Sequence, residues 1–185
     1  GHMHEIGYTL YTELLERAVK ALKEGREPQL DKPLAHGTEV DLHIPALIPD
    51  DYLPDIHERL IIYKRIANCT TSDELRELQV EMIDRFGLLP EQTKTLFQLT
   101  ELKLKATPLG ITKIDIGDKG GRITFCEQPD IDPVRIIQLI QNDPAVYKLD
   151  GNERLRINRK LDEPAARFRQ VRGRLLDAVR DRAVE

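Results

Sequence analysis

Tryptophan is absent from these 185 residues, and the other aromatics amount to five Tyr and four Phe. So sparse a set leaves little with which to stack unpaired nucleobases. Cysteine occurs twice, at Cys69 and Cys126, too few and too far apart for a disulfide framework or a zinc-ligand cluster. Both are read as buried small apolar residues in a reducing, cytoplasmic setting. No apolar run approaches the roughly 18 residues that a membrane-spanning helix requires, so no membrane partner is expected. The motifs GxxxxGK(S/T), GxSxG, HExxH and CxxC are missing as well. Gly117 to Gly121 is glycine-rich but lies between two strand-like runs with no helix after it, so it reads as a hairpin turn, not an anion site. The chain is therefore expected to be non-enzymatic, with no cofactor. Gly1-His2-Met3 reads as an expression scar, which removes His2 and His4 from consideration as ligands.

What is present suits a globule: apolar residues make up 40% and charged residues 32% of the chain, which supplies a core and argues against disorder. Tyr11, Leu14, Leu15, Ala18 and Leu22 recur at helical spacing over residues 8–24, followed by a linker to Gly37 that contains Pro28 and Pro33. Val40, Leu42 and Ile44 alternate with Asp41 and His43 as a half-buried strand. Helical periodicity returns over residues 56–67. Thr71 to Glu74 form a capping box for a helix that ends at Phe86-Gly87 and turns Leu75, Leu78, Met82 and Phe86 inward. Pro90 opens a further helix through about Lys105.

Beyond Gly110 the period becomes two. Residues 111–116 and 122–126 form a hairpin with a loop longer than the tightest types. Asp132-Pro133 caps a helix through Ile140. Residues 146–149 and 155–157 form a second hairpin. A last helix from about Asp162 places Phe168, Val171, Leu175 and Val179 on one face. Together these predict an α+β fold of antiparallel hairpins packed with several helices, preceded by an N-terminal helix and linker. The division is 1–3 scar, 4–37 helix and linker, and 38–185 the α+β domain.

Three groupings bear on chemistry. Asp41 and His43 lie two apart on a strand, with His36 and His57 near in sequence, and could share a metal or act as a base. That use needs a third converging group, which the sequence does not show. Net charge is −4, yet residues 151–185 carry 10 basic and 6 acidic side chains. Arg154, Arg156, Arg159, Lys160, Arg167, Arg169, Arg172 and Arg174 therefore allow a nucleic-acid-binding reading, although the last four scatter around the helix. On the capped helix, Glu77, Glu81, Asp84 and Arg85 oppose the apolar stripe. Glu81, Asp84 and Arg85 form one mixed-charge surface, suited to solvent or to polar docking.

The run Glu81-Met82-Ile83-Asp84-Arg85-Phe86-Gly87-Leu88-Leu89-Pro90 resembles the C-terminal domain of bacterial transcription-repair coupling factor (Mfd). Gly7-Tyr8-Thr9-Leu10-Tyr11, Pro45 to Tyr52, Tyr63 to Ala67, Leu109-Gly110-Ile111 and Lys119-Gly120-Gly121 agree with it. The resemblance implies a regulatory domain of an ATP-driven DNA translocase, without the motor. It implies docking through Glu81, Asp84 and Arg85 on the UvrB-like domain of the same polypeptide, which masks the surface that recruits UvrA in transcription-coupled DNA repair. UvrA and RNA polymerase are then indirect partners, and this domain itself binds DNA weakly or not at all. The alternative is a nucleic-acid-binding module using the basic C-terminal segment; a metal-dependent hydrolase around Asp41 and His43 ranks last.

Overall fold

The computed structural model describes residues 37–180. The helix expected over 8–24 and its linker lie outside the described residues. The chain divides into two compact units: residues 44–101 form the described part of one, and residues 37–43 with 102–180 that of the other.

In the first unit, Pro45, Pro49 and Pro54 keep residues 44–55 from forming a helix, yet Ala46, Leu47, Ile48 and Leu53 are buried. Their backbone groups find partners. Leu47 N–H donates to Gln92 O, the Thr93 hydroxyl donates to Leu47 O (3.0 Å), and Ile48 N–H donates to the Tyr63 hydroxyl (2.7 Å). Helix α1 (Ile56–Asn68) starts at Asp55, whose carboxylate accepts from His57 N–H, and buries Ile62, Tyr63 and Ile66. Helix α2 (Ser72–Phe86) starts at Thr71, whose hydroxyl accepts from Glu74 N–H. The Glu74 carboxylate reaches back past the cap to Thr70 N–H (2.8 Å), one residue beyond the usual capping-box partner. Leu75, Leu78 and Met82 are buried as expected, whereas Phe86 is half-buried. Gly87 ends the helix with φ +92°, a conformation that side chains rarely adopt. Helix α3 (Glu91–Ala106) follows, with Pro90 just ahead of it, accepting from Thr93 and Lys94 amides. The unit boundary falls inside α3.

The second unit is built on a five-stranded mixed sheet of order β1-β2-β3-β5-β4. Its strands are β1 (Glu39–Asp41), β2 (Ile111–Gly117), β3 (Gly120–Phe125), β4 (Tyr147–Asp150) and β5 (Arg154–Asn158). The two hairpins expected from the sequence are there, with one correction: Gly117 pairs with Gly120, so the first turn is only Asp118-Lys119. It can be so tight because Gly120 has φ +96°. A Cβ on Gly120 would lie 2.0 Å from Ile157 O, and one on Gly121 1.9 Å from Asp115 O, so the neighbouring backbones need both glycines bare. Strand β1 departs from the antiparallel expectation, for it runs parallel to β2. Thr38, fully buried, anchors its start by donating to Ile111 O (2.5 Å).

Alternation sets the two faces of the sheet. Val40, Ile114, Ile116, Ile123, Phe125, Leu155, Ile157 and Tyr147 are buried on one face. Helix α4 (Pro133–Asn142), capped by Asp132 with Pro133 at its first position, is tied to the last described helical turn by Asp132 N–H donating to Val179 O. The final helix is not uniform. It runs as α5 (Pro164–Arg169), a π-helical stretch (Gln170–Leu176) and α6 (Asp177–Val179). The wider π turn brings Gln170 and Leu176 inward beside Val171, Leu175 and Val179, and Gln170 donates to the Tyr147 hydroxyl (2.9 Å). The outer face of the sheet is polar, with charged residues of both signs beside Thr124 and Asn158. Among the described residues, no helix is long and apolar enough to cross a membrane.

Candidate functional site

Glu81, Asp84 and Arg85, for which the resemblance implies docking, lie near the C-terminal end of α2. Glu81 and Arg85, one turn apart, form an ion pair (Nη1 to Oε2, 3.3 Å). Two residues of α1 complete a network that the sequence reading missed. Arg65 grips both oxygens of Glu81, through Nη1 and Oε2 and through Nη2 and Oε1 (2.9 Å), a bidentate arrangement. On the other side Arg85 Nη2 stands 3.6 Å from Glu58 Oε1. The Arg85 guanidinium also lies 4.7 Å above the Phe86 ring, a cation–π contact that helps fix its direction. The hydrogen bond from Arg65, reinforced by both arginine charges, holds the Glu81 carboxyl down at about 2, and the same bond raises Arg65 above its ordinary value.

Asp84 stands apart from this network. It is exposed, and with Val80 and Ile83 it shares the outward face at helical spacing. That face is less polar than the sequence suggested, for Val80 is 53%, Ile83 38% and the following Leu88 84% exposed. The signal for the missing partners lay in α1: Glu58 and Arg65, seven residues apart, lie on one side of the helix, bordering the buried stripe of Ile62 and Ile66. Which neighbouring helix that face meets is a tertiary fact.

The Asp41–His43 pair gains the third group that the sequence lacked. The strand ends at Asp41, and His43 takes a left-handed backbone (φ +56°), so plain strand alternation does not bring these side chains together. Instead His43 N–H donates to Asp41 Oδ1 (2.9 Å), and His43 Nε2 lies 2.6 Å from Asp115 Oδ1 on β2. One ligand atom from each residue falls within 4.8 Å of the others, which could accommodate a small cation. All three are also satisfied by one another, and His43 and Asp115 are about half exposed. His36 lies outside the described residues; His57 is on α1, in the other unit.

The basic C-terminal segment does not act as one surface. Arg167 is buried and donates to four backbone carbonyls: Leu161 O (2.9 Å), Leu42 O (3.0 Å), Asp162 O (3.3 Å) and His43 O (3.4 Å). Arg159 pairs with Asp143 (3.2 Å) and Lys160 with Asp162 (3.4 Å). Arg154 and Arg156 belong to β5, leaving Arg169 and Arg174 as exposed helical arginines. The cysteines are a correction too: Cys126 is exposed and Cys69 half-buried, with burial pushing its thiol up.

Comparison with known proteins places the chain in a family. The TRCF domain model matches residues 42–136, which contain α1, α2 and α3. The transcription-repair-coupling factor of Haemophilus influenzae is 48% identical over 92% of this chain, and that of Escherichia coli K12 is 48% identical over 93%. The chain spans about 15% of the length of each. The fold is similar to that in a crystal structure of the C-terminal domain of a transcription-repair coupling factor, at 24% identity and a TM-score of 0.55, covering 73% of this chain and 87% of that one. Extended identity across both units, together with the family match over the helices that carry the ionic network, shows that the chain belongs to the TRCF domain family of transcription-repair coupling factors.

Proposed function

We propose that this chain is a non-catalytic regulatory module of a bacterial transcription-repair coupling factor, and that its α2 surface docks on the UvrB-like domain of the same polypeptide and masks the surface that binds UvrA. The observation that carries this reading is the exposed ionic network of Glu58, Arg65, Glu81 and Arg85 beside the exposed Val80, Ile83 and Leu88. Charges at a rim around an apolar patch are the anatomy of a protein interface. Asp84 and Arg85 present charge to the partner, and Glu81 acts through Arg85, holding it in place.

Each exposed ion pair contributes only about 0–1 kcal/mol, too little to hold separate proteins together. Within one polypeptide a tether raises the effective concentration to about the millimolar range, so a weak interface stays mostly closed and still opens when the motor rearranges. RNA polymerase and UvrA are then partners of the whole protein, in DNA repair, and not of this module directly.

The test uses the full-length protein with E81A, D84A and R85A combined. UvrA affinity should rise with no partner added, and deletion of the module should act in the same direction and further. The melting curve of the triple variant of this chain should stay close to that of the parent. A folded variant with unchanged UvrA affinity refutes the docking assignment.

A further inference from the structure

The outer face of the sheet carries a row of charges whose order the strand register fixes. Asp41 pairs with Asp115, Asp115 with Arg122, Arg122 with Arg156, and Arg156 with Lys148. Residues paired across strands point to the same side, so three cations stand next to one another on β3, β5 and β4, at steps of about 4.8 Å. All three are exposed. Like charges placed opposite each other in a sheet are destabilising. Arg156 has a single acidic neighbour, Asp150 at 3.7 Å, and Arg122 and Lys148 make no ion pair among the described residues. A lysine on β4 is accounted for by protection of a sheet edge. Arginines on the two interior strands are not. Nor does general basicity explain them, because the whole chain is net negative.

Lys119, in the β2–β3 turn, joins the row at one end. Together Lys119, Arg122, Lys148 and Arg156 line an open concavity of about 460 Å³. Gly120, Gly121 and Asn158 are also among its lining residues.

We propose that this concavity and its row of cations form a binding surface for the phosphodiester backbone of duplex DNA, independent of sequence and separate from the α2 surface. Duplex DNA is favoured over the other polyanions by what the face lacks. It has no aromatic side chain, so unpaired bases gain no stacking there. Of the residues lining the concavity, Val146 and the buried Ile157 are the apolar ones, too little for the apolar centre that a protein partner would bury. Protein–DNA contacts are polar and strongly cationic; the part of this face on β3, β5 and β4 is net cationic, with Asp150 as its acid, and the acids Asp41 and Asp115 lie beyond it on β1 and β2. Binding would come from counterion release, three or four phosphates being neutralised.

The experiment is fluorescence anisotropy of a labelled duplex with the 185-residue protein. Three to four phosphate contacts predict a slope of log K against log salt of about −2.7 to −3.6, hence a loss of about 40- to 150-fold in affinity between 50 and 200 mM salt. Combined R122Q, K148Q and R156Q should weaken binding at least about tenfold at the low salt and flatten the slope by about 2.7. Removing three facing cations should leave the melting temperature unchanged or raised. K119Q, in an exposed turn, gives a second reading that does not depend on the sheet tolerating three changes; it should lower the slope by about 0.9. R169Q with R174Q should leave binding unaltered. The proposal is overturned by any of four results: no binding at 50 mM salt, unchanged binding by the triple variant, an equal loss in the helical pair, or a preference for oligo-dT or poly-glutamate over the duplex.

Discussion

Replacing Arg167 with methionine tests how the second unit is held together. Arg167 is 9% exposed, and its guanidinium is met by four carbonyl oxygens and, among the described residues, no carboxylate. Two of the bonds, to Leu161 O and Leu42 O, are short, and they join segments more than a hundred residues apart in sequence. A hydrogen bond from a charged donor contributes about 1.5–3 kcal/mol net, and the two longer ones contribute less. Relief of the buried charge offsets part of that loss, and methionine keeps the apolar stem packed. The expected destabilisation is about 3 kcal/mol, equivalent to about 6–12 °C in melting temperature for a chain of this size. Arg167→Lys keeps the charge but cannot span the same set of carbonyls, so its loss should be intermediate. Differential scanning calorimetry reads the first quantity. Amide exchange reads the second: protection should fall at β1 and around Leu161 while α1 and α2 keep theirs. A melting temperature within about 2 °C of the parent refutes the structural role assigned to Arg167.

Three further outcomes follow from other sites. Gly121→Ala should destabilise by at least about 3 kcal/mol in guanidinium unfolding, because its Cβ meets backbone 1.9 Å away. Gly173→Ala, in open space within the π-helical stretch, should be neutral or stabilising by up to about 1 kcal/mol; equal effects of the two changes would show that the close approach at Gly121 is not real. The Glu81 carboxyl, held near 2 against an ordinary 4.5, stabilises the fold fully above pH 4.5 and loses that contribution as pH falls toward 2. Arg65→Gln should return its NMR titration toward the ordinary range and reduce the acid dependence; an unchanged midpoint would dismiss the bidentate contact as the cause.

Local chemistry was legible in the sequence, and partnership between distant segments was not. Thr71 and Asp132-Pro133 announced their helices because a cap is satisfied within three or four residues. Glycines at the turns announced both hairpins. The parallel pairing of β1 was hidden, since its partner strand lies some seventy residues on, and three residues carry little pattern. Arg167 looked like one more solvated arginine of a basic helix, because only tertiary carbonyls reveal its burial. The π-helical stretch shifted which residues face inward: of the α-spaced stripe Phe168, Val171, Leu175 and Val179, the last three are buried and Phe168 only half, while Gln170 and Leu176 joined it unannounced. On the exposed face of α2, the Glu81–Arg85 pair follows from one helical turn, whereas Arg65 and Glu58 required knowing which helix lay alongside.

The parallel pairing of β1 with β2 has a consequence for the order of events at the ribosome. Asp41 emerges well before its partner Asp115, and at about 5–20 residues per second the interval is roughly 4–15 s. During that time residues 44–101 have been made and can collapse on their own, while the three-residue β1 has nothing to pair with. The edge strand is thus the earliest segment of the sheet to be synthesised and among the last to find its place. Its closure waits on β2, and then on Arg167, which arrives later still to fasten Leu42. Ribosome-bound chains stalled between those two points should hold a formed helical unit with a loose leading edge, open to proteases at residues 37–43.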